Sequence, residues 1–391
     1  MTATIAQEGG QDVWPAFRPM IEGLGAVRVE RVPSRFANTI HTYAAVCPWD
    51  PAGDRLLYAG FDDAEGVGQL VVWQRSTGEE CVLAELENFD FHDVAEQRWA
   101  LGGKAVIYRG TDPSGQVYPA LVGVDGRDHR LFDDLPGYYF RQVLPDGCRA
   151  ILYGKPHAVP RECGIRQLDL ETGSSELLVT AAEIESAFPL DDGLQGTTFL
   201  NHPVVDPRGR YMFFKRLLFF SKEEPTLFRG LYVQDLQSGR IYDHGSRVSG
   251  HPAWSADGQH ILNIAQPQDE SRNRWLIAVD PVTGQFERLI DNPFEGPGHP
   301  APSPDGRWIA MDAFTPDGKT SPLYLIDRAT GRVTELARLN HHFQGGFGLK
   351  RVTRSQPHPA WSPDGRALVI NWNQGGRSVS LLIINFNREA V

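Results

Sequence analysis

Hydrophobic and polar positions alternate in short runs along the whole chain. Segments such as LVVWQRSTG, IRQLDLETG, LYVQDLQSG, WLIAVDPVTG and LYLIDRATG combine β-branched and apolar residues with a Ser-Gly or Thr-Gly turn, which reads as strand and then turn. Before each such strand lies another apolar strand, entered through an S-P-D-G-type turn in which Asp bonds local backbone and Gly supplies positive φ. Three copies of this entry are close: HPAWSADGQHILNI from His251, HPAPSPDGRWIAMD from His299 and HPAWSPDGRALVIN from His358. Weaker copies are HPVVDPRGRYMFF from His202, VLPDGCRAILYG from Val143, ALGGKAVIYRG from Ala100 and CPWDPAGDRLLYAG from Cys47. The turn glycines Gly53, Gly103, Gly147, Gly209, Gly258, Gly306 and Gly365 mark seven units, 44 to 62 residues apart.

Units of that length suit four-stranded propeller blades. The last unit supplies only three strands, around Pro359–Trp361, Ala367–Trp372 and Ser378–Phe386, and the missing fourth is available as AVRVERV from Ala26. The expectation is therefore an all-β, seven-bladed propeller whose N-terminal strand closes the C-terminal blade and removes the sheet edges. It forms one domain over residues 1–391, with 1–24 as a surface arm and 25–391 as the propeller.

Composition changes the picture in a few places. The 40 Gly and 28 Pro, spread evenly, fit many short turns. A net charge of −11 argues against nucleic acid as a partner, yet leaves room for a small anion in a locally positive pocket. No apolar run approaches a membrane-spanning length, so no membrane partner is expected. MTATIAQEGGQDVWPAF lacks the basic and apolar regions of a secretory signal. With Cys47, Cys81, Cys148 and Cys163 scattered and free of CxxC spacing, the expected setting is cytoplasmic. Oligomeric state is not legible.

The candidate chemistry lies in one register. Seven residues before the turn glycines of units four to seven stand His202, His251, His299 and His358; units one to three have Val46, Glu96 and Phe140 there. The first strand of a propeller blade lines the central channel, so these imidazoles are expected to converge on one rim. Taken singly, each could equally bond a neighbouring blade's backbone. Taken together they suit a divalent metal, zinc or manganese. Gln356 stands two residues before His358, on the same strand face, and can add an oxygen ligand. Near the same rim come His41 and Tyr43, Lys215 and Arg216 at the end of a strand, and Arg229 opening the next. His341–His342 reads as part of a Gly-rich loop, and His92, His129, His157, His244 and His260 as surface or packing residues.

The repeat resembles the PD40/TolB unit, and GPGHP at His299 with the closing QPHPAWSPDG resembles more specifically the oligogalacturonate lyases. That resemblance implies a cytoplasmic propeller cleaving an acidic, uronate-containing oligosaccharide by metal-assisted β-elimination. It implies manganese, with zinc or calcium as alternatives, held by His299, Gln356 and His358. The family's last blade carries Q-x-x-H-x-H; here its leading Gln falls on Thr353 and its first His on Gln356, which puts the metal and the substrate in question. Arg229, 22 residues before His251, matches the family's catalytic arginine. The candidate catalytic set is Arg229, implied by the resemblance, His251, an easier base because its unperturbed pKa is near 6.5, and His202, with the choice of base between Arg229 and His251 left open; His41, Tyr43 and Arg216 are read as contacting substrate. Two other readings stay open: a non-catalytic TolB-like scaffold binding a protein or peptide, and another metal-dependent sugar-acid enzyme. A prolyl-oligopeptidase reading is disfavoured because no G-x-S-x-G motif occurs.

Overall fold

A computed structural model describes residues 15–44, 46–62, 67–87, 89, 93–154, 164–190, 193, 196–221, 227–246, 250–265, 274–291, 294, 296–340, 343–344, 353–354, 356–373 and 378–387. Seven antiparallel sheets form the seven blades of a propeller ring. In blades 1 to 6 the strands pair in chain order, innermost first; blade 4, for example, is built from Thr197–Val205, Tyr211–Phe219, Leu227–Asp235 and Ile241–Asp243. In blade 7 the three C-terminal strands are completed by Gly25–Arg31, which pairs with Val379–Asn387 from Ala26↔Asn387 to Arg31↔Leu382. The closing strand thus sits where the sequence put it. The arm before it adds a fifth short strand, Met20–Ile21, and buries Ile21 and Leu24 against Trp308 of blade 6. The part of the arm before residue 15 lies outside the described residues.

Each turn glycine that marked the repeat has a positive φ, between 64° and 84°, a region where an L side chain is strained. In the three closest repeats a serine hydroxyl donates to the turn aspartate, Ser255 to Asp257, Ser303 to Asp305 and Ser362 to Asp364.

The core is not one mass. Among the described residues seven apolar clusters lie between neighbouring blades: Trp308, Leu323 and Leu339 of blade 6 with Trp361, Leu368 and Leu382 of blade 7, and so on to Trp49 and Tyr58 of blade 1 with Val369 and Ile383 of blade 7; the cluster between blades 1 and 2 also takes in Val379 of blade 7. Strands that are apolar on both faces follow directly from this stacking. Tryptophans pin the inner strands together. Trp99, Trp254 and Trp361 each donate from the indole to a carbonyl of the preceding blade, at Pro48, Val204 and Ala301, over 2.8, 2.9 and 3.0 Å. These carbonyls stand two residues after the histidine register, so the interblade pins set the height of that register in the channel. Cys47, Cys81 and Cys148 are free thiols, and no described helix is long and apolar enough to cross a membrane.

Candidate functional site

The four register histidines come together, and what they surround is Tyr43. Ring centroids of His202, His251, His299 and His358 lie 5.6, 5.8, 5.5 and 4.8 Å from that of Tyr43, each approaching it edge-on. Neighbouring imidazoles are also close, with His251 stacked on His299 at 4.4 Å and His299 meeting His358 at 4.7 Å. The Arg141 guanidinium covers the Tyr43 ring at 4.4 Å. Tyr43 fills this cup so well that about 10 Å³ remains, the space of about one water. Below it the central channel opens to about 440 Å³, lined by the segments that follow the histidines.

His299 and His358 are held by one carboxylate. Asp312, fully buried on the second strand of blade 6, accepts from the backbone N–H of His299 at 2.9 Å and of His358 at 3.0 Å. It also accepts from His299 Nδ1 at 2.8 Å, which fixes that ring's tautomer and leaves Nε2 as the basic nitrogen. His299 Nε2 is buried and has no hydrogen-bond partner. His358 Nε2 donates to Gln356 Oε1 at 3.0 Å. Asn371, at the same second-strand position in blade 7, accepts from the His41 N–H at 2.9 Å and donates to the Gln356 carbonyl at 3.1 Å. His202 and His358 have φ of 53° and 44°, as does Glu96 of blade 2 at 52°; left-handed backbone at one register position in three blades is stored strain.

Among the described residues no group of three or more His, Cys, Asp or Glu side chains is set to hold a metal. The predicted donors are two imidazoles and an amide, and they fit a divalent ion on one point: an orphaned, buried Nε2 backed by a carboxylate, as in metal-ligating histidines generally.

The remaining predicted residues are placed as follows. His41 is fully buried, with neither ring nitrogen hydrogen-bonded, and burial pushes its pKa down to about 4, so it is neutral. Arg216 is committed elsewhere, donating to the Phe188 carbonyl at 2.6 Å and Thr198 at 3.4 Å. Arg229 is the extra residue of a bulge on the third strand of blade 4, half-buried, in electrostatic reach of Tyr232 beside Arg216, and it does not line the cup. His92, His157, His341 and His342 lie outside the described residues, as do the side chain of Thr353 and the whole of Cys163.

Sequence reading missed Asp312 and Asn371, gave Lys215 only a place near the rim, and missed Arg141. The first three share a signal: each stands six residues after a turn glycine, a polar residue inside an apolar strand (WIAMDAF, ALVINWN, MFFKRLLFF). Lys215 is buried and donates to the Gly250 carbonyl, next to His251; burial, with Arg141 nearby, pushes its pKa down to about 7. The pairing of His299 with Asp312 also explains Gly298. A Cβ there would lie 1.9 Å from the Asp312 carbonyl oxygen, so Gly298→Ala is expected to lower stability by about 1–3 kcal/mol, read as a fall in urea midpoint. An unchanged midpoint would refute this account of the glycine.

The fold and site define a closed seven-bladed propeller with a histidine cup over its channel. No family model matches the chain. Its shape is similar to an oligogalacturonate lyase in complex with manganese, with a TM-score of 0.67 at 16% identity over 97% of this chain and 98% of that one. It is equally similar to the oligogalacturonate lyase of Vibrio parahaemolyticus, with a TM-score of 0.67 at 15% identity over 95% and 97% of the two chains. A prolyl endopeptidase reaches a TM-score of 0.55 at 12% identity over 90% of this chain, using 50% of its own. In sequence, 177 residues are 22% identical to the uncharacterized peptidase YuxL of Bacillus subtilis (strain 168), covering 39% of this chain and 26% of that relative's length. At these identities the likenesses establish the fold.

Proposed function

We propose that the protein is a lyase that cleaves a uronate-containing oligosaccharide, of the oligogalacturonate kind, by metal-assisted β-elimination. The observation that carries this reading is the ring of four histidines around Tyr43, with Nε2 of His299 buried, unbonded and backed by Asp312. Similarity in shape to two oligogalacturonate lyases supports the choice of substrate. His299, His358 and Gln356 would hold a divalent ion, manganese first, which when bound supplies Lewis acidity to the uronate carboxylate.

The protein's own groups do the rest. His299 is oriented by Asp312. His251, stacked on His299 and half-buried at the cup, is assigned to take the proton from C5. An imidazole is a competent base near neutrality, whereas the guanidinium of Arg229 keeps its proton. His202, with its ring 6.4 Å from that of His251, is assigned to protonate the oxygen leaving C4. Since the cup is filled, a sugar ring enters only as the Tyr43 ring leaves it.

The test is an ultraviolet assay for the unsaturated uronate product, across a panel of uronate oligosaccharides with added manganese and an EDTA control. EDTA-sensitive absorbance is expected, with His251→Ala losing about a hundredfold in turnover and His358→Ala losing the metal. A flat trace from protein that contains metal would point to another sugar-acid enzyme. A flat trace from protein that binds none would point to a peptide-binding scaffold.

A further inference from the structure

A second cavity, of about 380 Å³, has walls that include Arg98, Arg141, Gln142, Trp99 and the buried Asp50, whose carboxylate is paired with Arg55; Arg141 also lines the histidine cup. Val46, Cys47, Gln142 and Pro363 line both this cavity and the central channel, so the two are contiguous. The histidines line neither. Both arginines are 5% exposed, and neither forms an ion pair with a carboxylate among the described residues.

Their hydrogen bonds differ in a telling way. Arg98 is anchored, donating to the Gln97 carbonyl at 2.7 Å, to Thr42 at 3.0 Å and to the Arg141 carbonyl at 3.1 Å, yet its Nη2 has no partner. Among the described residues the Arg141 side chain makes one long bond, Nη2 to the Ala44 carbonyl at 3.5 Å, and lies on the face of Tyr43. Of the acids nearby, Asp50 in the cavity wall is paired with Arg55 at 2.9 Å, Glu96 accepts from Tyr153 at 2.9 Å, and Glu96 and Asp93 act on Arg98 through their field. Burial, and next the charge of Arg141, push the Arg98 pKa down to about 9. Lys215, also buried, feels Arg141 as well. A chain of net charge −11 therefore holds two buried guanidiniums at one cavity, with no carboxylate ion-paired to either among the described residues. Buried charge without a counter-charge is costly, and such a feature is best understood by what it binds.

We propose that Arg141, backed by Arg98, forms a binding site for the carboxylate of a small organic acid, entered from the central channel, with Arg141 standing between this cavity and the histidine cup. A guanidinium with free donors and an unbonded Nη2 beside it can grip a carboxylate with charge-assisted hydrogen bonds. This site does not require the lyase reading: its cavity is walled by Arg98, Arg141 and Gln142 and by no histidine.

The experiment titrates the full-length chain in EDTA with D-galacturonate, and with D-galactose as the neutral analogue. Galacturonate is expected to bind and galactose not to. Arg141→Gln is expected to weaken galacturonate roughly tenfold to a hundredfold, Arg141→Lys to weaken it less, and His299→Ala to leave it unchanged. Arg141→Gln is also expected to melt no lower than wild type without ligand, because it removes an unpaired buried charge. Equal affinity in Arg141→Gln, tighter binding of inorganic phosphate, or no galacturonate binding by wild type would each overturn the carboxylate site. Loss of binding in His299→Ala alone would move the carboxylate into the cup and overturn it too. Turnover with intact Arg141→Gln kinetics and binding leaves the lyase standing and this site refuted; binding without any unsaturated product does the reverse.

Discussion

Replacing Asp312 by alanine is expected to cut turnover about a thousandfold and to lower stability by about 2–5 kcal/mol. Three donors converge on this one buried carboxylate: the backbone N–H groups of His299 and His358 and the Nδ1 of His299. Removing it leaves two buried amides unbonded, each worth about 1–3 kcal/mol. It also frees two histidines from neighbouring blades, one of them held in left-handed backbone. Loss of the carboxylate behind a metal-binding histidine typically costs about 10–100-fold in metal affinity or activity, and here two histidines depend on it. Asp312→Asn separates the contributions. Its amide oxygen can still accept, so most of the stability should return while the His299 ring loses its charged partner. Urea titrations read the stability, calorimetry with manganese reads the metal, and the uronate assay reads turnover. If Asp312→Ala binds manganese as tightly as wild type, His299 and His358 are not the ligands.

The propeller was legible because its repeat is written in turn chemistry, which depends on local sequence alone. Gly306 and Gly365 need positive φ wherever their blades sit, and counting from such glycines found both the closing strand and the histidine ring. The count works only while a strand keeps its period of two. His202 and Pro203 lie inside an irregularity between Asn201 and Val204, Arg141 is the extra residue between Phe140 and Gln142, and Arg229 is the extra residue between Phe228 and Gly230. A bulge turns its residue to a face that parity does not predict. That is why Arg141 was missed, although it covers Tyr43, and why Arg229 was grouped with a cup it does not line; Arg216, in regular register with Leu200, is drawn instead to the Phe188 carbonyl. Tyr43 was expected to touch substrate; its place at the centre of four imidazoles depends on how a connection folds over the ring, which no periodicity encodes. The irregular positions and the chemistry coincide, as is common where bulges re-aim side chains.

Lys215→Met is expected to melt higher than wild type at pH 6 and to lose that advantage by about pH 10. In the folded protein, burial and next the charge of Arg141 push the Lys215 ammonium from 10.5 down to about 7. Between those two values the unfolded chain carries a proton that the folded chain has released. Stability contributed by this residue therefore rises with pH across that window, and the full penalty of the buried charge is present below about 7. The shift corresponds to an effect on the order of 3–5 kcal/mol, against about 1 kcal/mol for the bond to the Gly250 carbonyl that methionine gives up. Other groups titrate in the same range, so the quantity to follow is the difference between the two proteins in urea at pH 6, 8 and 10. His41 depresses in the same sense at lower pH, from 6.5 to about 4, and is common to both proteins, so it cancels. Two stability curves that run parallel from pH 6 to 10 would show that Lys215 keeps its proton in the fold as it does in the unfolded chain, so that its charge carries no burial penalty. Curves that converge as pH rises would mean the fold tolerates, at neutral pH, a cation it would be more stable without. A cation kept at such a cost beside the histidine cup and the arginine cavity agrees with the anionic ligands proposed for those sites.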